Sequence, residues 1–131
     1  MSVMIRAKDS GRTNMTTVIF KEFTFAAAHC LKGLDDGHPC TVLHGHNYKV
    51  RLEIEGTPDP QTGMVMDFAK IKEVVAPLIE QLDHSTLNDS MPVTTSECLA
   101  AFFADRLRDD LPGLFKVEVR ETPTCGAIVY L

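Results

Sequence analysis

A chain of 131 residues suffices for one domain around one hydrophobic core, burying roughly two-thirds of the surface its unfolded form exposes. Its 44% hydrophobic and 24% charged content is that of an ordinary globular protein, and a net charge of −5 argues against non-specific nucleic-acid binding. No apolar run approaches the roughly 18 residues of a membrane helix. The opening residues MSVMIRAKDSGRTN lack the apolar core of a signal peptide, and Cys30, Cys40, Cys98 and Cys125 are irregularly spaced, so a reducing, cytoplasmic location is expected.

Residues 1–16 are polar and without period; a flexible N-terminal extension is expected there, followed by a single domain over 17–131. The stretch TVIFKEFTFAAAH at 17–29 alternates as a half-buried strand, with Ile19, Phe23, Phe25 and Ala27 on the odd positions and His29 continuing them. A loop rich in Gly, Asp and Pro follows, and loops this long are usually functional or disordered. From His44 the period of two returns, with His46, Tyr48, Val50, Leu52 and Ile54 set against Lys49, Arg51, Glu53 and Glu55. After the turn-rich GTPDPQTG, Asp67 is placed to cap a helix whose apolar face is Phe68, Ile71, Val75, Leu78 and Leu82, with Pro77 expected to kink it.

LDHSTLNDS reads as a loop. Thr94 to Glu97, TTSE, matches a capping box for a second helix from Cys98 through Leu107, ended by Pro112 and Gly113. LFKVEVRET then alternates Phe115, Val117 and Val119 against Lys116, Glu118 and Arg120, and AIVYL reads as its partner strand. The order ββααββ predicts an α+β domain: a four-stranded antiparallel sheet with two helices packed on one face.

The chemistry-bearing residues gather at the strand ends. His44 and His46 share the apolar parity of their strand, so their Cα atoms lie about 7 Å apart on one face. With His29 ending another apolar row, the three histidines read either as the donor set of a catalytic zinc ion, which keeps a fourth position open, or as ordinary polar or packing side chains. A structural zinc site normally closes four ligands and favours paired cysteines, which are absent. Cys40, four residues before His44, reads either as a thiolate that works as base or nucleophile, or as a small apolar side chain. Asp83 and His84 read either as a proton-relay pair or as residues suited to the end of a helix. Glu121 closes an apolar row, where a carboxylate needs a partner or a ligand.

As an ordered set, FTFAAAH ending in His29, CTVLHGHNYKV from Cys40, DPQTGMVMDFAKIK, LDHSTLND, TTSE and VRETPT resemble the 6-pyruvoyl-tetrahydropterin synthase / 6-carboxy-tetrahydropterin synthase family over about residues 17–131. The resemblance implies a tunnelling fold, in which subunits join through their sheets into trimeric barrels stacked head to head as a homohexamer. It implies that His29, His44 and His46 bind zinc, that Cys40, Asp83 and His84 carry the proton transfers, and that Glu121 anchors the pterin ring. It further implies ring contacts from Thr95, Ser96 and Thr122 of a neighbouring subunit. The implied substrate is 7,8-dihydroneopterin triphosphate, with no nucleic-acid or membrane partner. The three residues between Cys40 and HGH resemble the carboxy branch, which releases triphosphate and acetaldehyde and feeds queuosine and deazapurine synthesis. The sister 6-pyruvoyl branch eliminates triphosphate only. A three-histidine zinc hydrolase and a non-catalytic pterin-binding module are the remaining alternatives.

Overall fold

The structure, a computed structural model, describes residues 15–131. The expected N-terminal extension therefore lies outside the described residues except for its last two positions. Strand β1 (Thr17–His29) and strand β2 (His44–Gly56) pair antiparallel from Thr17↔Gly56 to His29↔His44 without a bulge. β2 pairs next with β4 (Leu114–Thr122), and β4 with β5 (Cys125–Tyr130). Helices α1 (Phe68–Leu82) and α2 (Ser96–Leu107) cover one face.

The sheet has five strands rather than four, and it is mixed rather than antiparallel. Ser85–Thr86 forms β3, parallel to the end of β1, giving the order β3-β1-β2-β4-β5. Two residues are too few to establish a period, which is why this segment reads as a loop in sequence.

Alternation decides the two faces of the sheet. Phe25, Tyr48, Val50, Leu52, Ile54, Val117 and Val119 turn toward the helices and meet Ile71, Val75 and Leu82 of α1 and Leu99, Phe103 and Leu107 of α2. Each side chain buried in this way contributes about 1.5–3 kcal/mol. The opposite face carries ion pairs: Glu22 with Lys49 and Arg51, Glu53 with Arg51 and Lys116, and Glu118 with Arg120.

Several local expectations need correcting. A bulge pairs Ile54 with Leu114, so Leu114 is buried in place of Phe115. Asp67 caps α1 as expected, its Oδ1 accepting from the Ala69 N–H at 2.8 Å. Phe68 nevertheless lies 52% exposed at the first turn. α1 runs past Pro77 to Leu82; Pro77 and Glu73, whose carbonyl it leaves without a helical donor, both lie on the exposed side. The cap of α2 is Thr95, which accepts from the Cys98 N–H at 3.2 Å, leaving Thr94 free for another use. Among the described residues no helix is long and apolar enough to cross a membrane.

Candidate metal centre

His29 and His44 are cross-strand partners, and His46 pairs with Ala27, so all three imidazoles leave the helix-facing side of the sheet at one end. Ring centroids are 4.7 Å (His29–His44), 5.1 Å (His29–His46) and 4.9 Å (His44–His46) apart. One nitrogen from each lies within 4.8 Å of the other two. Tetrahedral coordination at zinc–nitrogen lengths wants donors about 3.4 Å apart, so a small rotation of each ring suffices.

The hydrogen bonds around these rings select the tautomer that a ligand needs. His29 Nδ1–H donates to the Thr94 carbonyl at 2.9 Å, with Thr94 Oγ1 at 3.2 Å, and His44 Nδ1–H donates to the Val42 carbonyl at 2.7 Å. A proton fixed on Nδ1 leaves Nε2 with its lone pair. Burial holds the His29 imidazole below its ordinary pKa; His44 and His46 add to this and the Thr94 bond opposes it. His29 Nε2 and His46 Nε2 are buried without a hydrogen-bond partner. Such an atom costs about 1–3 kcal/mol unless something answers it, and a cation does. The residues fit a divalent metal with nitrogen preference.

Glu121 stands beside this cluster at the end of β4. Its Oε2 is 3.8 Å from His46 Nε2, and its Oε1 accepts from the hydroxyl of buried Ser96 at 3.0 Å, so the first turn of α2 aims the carboxylate. Below them the Tyr48 hydroxyl is buried without a partner, and burial together with the Glu121 charge pushes its pKa well up, so it stays neutral. Thr95 is occupied in capping α2, and Thr122 Oγ1 accepts from the Thr124 N–H at 3.3 Å in the β4–β5 turn.

Cys40 lies in a short helical turn, Pro39–Thr41, within the β1–β2 loop. Its carbonyl accepts from the Leu31 N–H at 2.8 Å, which ties it to the chain just beyond His29, and its side chain is half-buried. The thiol is not part of the three-nitrogen group. His38 serves the loop, its Nδ1 accepting from the Cys40 N–H at 3.0 Å.

A profile of the 6-pyruvoyl tetrahydropterin synthase family matches residues 18–130. The chain belongs to this family. It is 42% identical over 118 residues to a 6-carboxy-5,6,7,8-tetrahydropterin synthase of Synechocystis, covering 84% of this chain and 90% of that one. It is 36% identical over 104 residues to a dihydroneopterin monophosphate aldolase of Pyrococcus furiosus, covering 79% and 86%. Its fold matches the solved structure of Caenorhabditis elegans 6-pyruvoyl tetrahydropterin synthase with a TM-score of 0.80 at 28% identity, over 89% of this chain and 96% of that one.

In this tetrahydropterin synthase family member, one pair expected at the site lies elsewhere within the single chain. Asp83 caps the C-terminus of α1. Its Oδ1 accepts from the Ala26 N–H at 2.9 Å, and its Oδ2 is 3.0 Å from His84 Nδ1. The Ala26 bond, aided by His84, holds the Asp83 carboxyl below its ordinary pKa. His84 has φ +57° and an 83% exposed side chain, and it borders an open hollow with Ala26, Ala28, Gly45, His46 and Asn47. Asp83 and His84 thus lie along the β1 edge of the sheet, outside the three-nitrogen group. Thr94, the acceptor that orients His29, is a site residue that the sequence disguised as a helix cap. Its only signal was a position next to a cap that Thr95 fills equally well.

Proposed function

We propose that this protein is a zinc-dependent lyase that, with water, converts 7,8-dihydroneopterin triphosphate to 6-carboxy-5,6,7,8-tetrahydropterin, triphosphate and acetaldehyde. The observation that carries the reading is the convergence of three imidazoles, two with buried, unpartnered Nε2 atoms. The carboxy product is favoured by the Cys40–Thr41–Val42–Leu43–His44 spacing and by the 42% identical synthase.

His29, His44 and His46 would hold the zinc, which when bound would act as a Lewis acid toward the hydroxyls of the substrate side chain. Glu121 would accept the 2-amino and ring N–H donors of the pterin, a pairing that suits a carboxylate already oriented by Ser96. Cys40, on a loop tied next to His29, would take the proton from the carbon beside the ring as thiolate. Asp83 would fix the tautomer and orientation of His84, which would pass protons to and from the side-chain oxygens. Thr95, Ser96 and Thr122 would complete the surroundings of the ring.

Because Asp83 and His84 stand outside the three-nitrogen group of their own chain, assembly is part of the proposal. His84 of one copy would serve the histidine cluster of another within a homohexamer. Support comes from the two sheet edges, where Val18 and Phe20 on β1 and Ile128 and Tyr130 on β5 expose apolar side chains. Edge strands of this kind join head to tail and close a ring. The proposed setting is the cytoplasm and queuosine-type deazapurine synthesis.

Incubating zinc-loaded protein with 7,8-dihydroneopterin triphosphate and resolving the products by mass tests the reading. A carboxy product with acetaldehyde supports it. A pyruvoyl product would assign the protein to the sister reaction, and intact substrate would leave a binding module. Turnover that survives loss of the Cys40 thiol would favour zinc-hydroxide hydrolysis.

A further inference from the structure

We propose that Asn88 is a positioning residue for the metal centre, acting through the backbone that carries His29; the inference rests on the metal reading above. The observation is a two-point clamp. The Cys30 N–H donates to Asn88 Oδ1 at 3.0 Å, and Asn88 Nδ2 donates to the Cys30 carbonyl at 3.0 Å. An amide that both accepts from and donates to one residue reproduces what a neighbouring strand would offer.

The clamp completes a ladder begun elsewhere on the same segment. Ala26, Ala28 and Cys30 are alternate residues of one extended stretch, so their polar backbone groups face the same edge. Ala26 is met by the Asp83 carboxylate and by the His84 N–H, Ala28 lies opposite Thr86 in the parallel register, and Cys30 is met by Asn88. Residues 83–88 form a strap with a side chain substituting for backbone at each end. Leu87, fully buried, fixes the turn that presents Asn88.

His29 lies between the last two rungs of this ladder. β1 ends at His29, so without the clamp the chain beyond it would leave the sheet at the residue that must aim Nε2. Thr94 reinforces the arrangement, with its carbonyl on the His29 ring and its hydroxyl donating to the Cys30 carbonyl at 3.4 Å. Asn88 is part of neither the three-nitrogen group nor the Glu121 contacts, so its effect passes through position alone. The same strap carries Asp83 and His84, so it joins the relay pair to the metal strand as one rigid piece.

The test is a competitive zinc titration of the full-length chain against a chromophoric chelator, with the visible spectrum of the cobalt-substituted protein as second readout. Asn88→Asp keeps the shape and one acceptor but loses the donor to the Cys30 carbonyl; Asn88→Leu loses both bonds. Each is expected to weaken zinc binding 10–100-fold, as loss of an outer-shell partner does, and to alter the cobalt bands. Val129→Ala, in β5 against the far end of the core, lowers unfolding stability without moving either readout if the effect is one of position. Zinc affinity and cobalt bands unchanged in either Asn88 variant that folds would overturn the inference. So would fast solvent exchange of the Cys30 amide in the unsubstituted protein, a measurement that needs no variant. Failure of the unsubstituted chain to bind zinc would instead overturn the metal reading, and this inference with it.

Discussion

Replacing His46 by Phe should move stability in opposite directions with and without metal. His46 Nε2 is buried and unpartnered in the metal-free protein, a loss of about 1–3 kcal/mol that a phenyl ring does not incur. The ring contacts with His29, His44 and Tyr48 are edge-on, at centroid distances of 5.1, 4.9 and 5.5 Å, and a phenyl ring can keep them. Allowing about 1 kcal/mol for the tighter fit, His46→Phe should gain about 1 kcal/mol in chelator. Zinc at a hundred times its Kd stabilises the unsubstituted protein by about 2.7 kcal/mol. If structural sites owe about 10–16 kcal/mol to four donors, one donor of three is worth about 3 kcal/mol, or roughly 150-fold in Kd. At the same zinc concentration the variant would then gain only about 0.3 kcal/mol. The stability order should therefore invert, read by urea unfolding at pH 7.5 with chelator and with buffered zinc. A variant less stable than the parent in chelator, or stabilised by zinc as strongly as the parent, would refute the argument.

Cys40→Ala should keep its zinc, measured by metal analysis, while turnover falls about 10²–10⁴-fold, the range of a lost general base. The Glu53 carboxyl is held below its ordinary 4.5 chiefly by its Arg51 hydrogen bond, with Lys116 adding. Its folded pKa being depressed, the stability it contributes is present above pH 4.5 and lost as pH falls through the folded value. Glu53→Gln should therefore cost up to about 1 kcal/mol at pH 6 and flatten the decline below pH 4.5 in urea titrations. Gly113→Ala should destabilise by about 2–5 kcal/mol, because φ is +89° and a Cβ would lie 2.3 Å from the Glu55 carbonyl oxygen; a loss under 1 kcal/mol by thermal unfolding would contradict this.

The sequence disclosed whatever depended on period. Alternation alone puts His29, His44 and His46 on the apolar side of their strands, and helical spacing locates both helices. It could not disclose contacts that join distant segments through polar atoms. Thr94 meets His29 across 65 positions, and Asn88 meets Cys30 across 58. Neither leaves a pattern, since a threonine before a helix and an asparagine in a turn have ordinary local explanations. β3 escaped for the same reason, being two residues long and held alongside β1 by the Asp83 and Asn88 side chains on either side of it. The positive φ of His84 is equally silent in sequence, since adjacency to Asp83 does not foretell it.

The unbroken register of β1 with β2 has an evolutionary corollary. Because His29 and His44 face each other on the terminal rung, the middle of the loop that spans them can be rewritten, lengthened or shortened while the imidazoles keep their spacing, as long as the backbone bonds at Cys30 and Val42 remain. On the proposed roles, the Cys40 thiol would sit on a variable segment and the three imidazoles on a fixed one. Such a division would let a lineage vary its chemistry without rebuilding the histidine cluster, in keeping with the different activities for which the relatives are named.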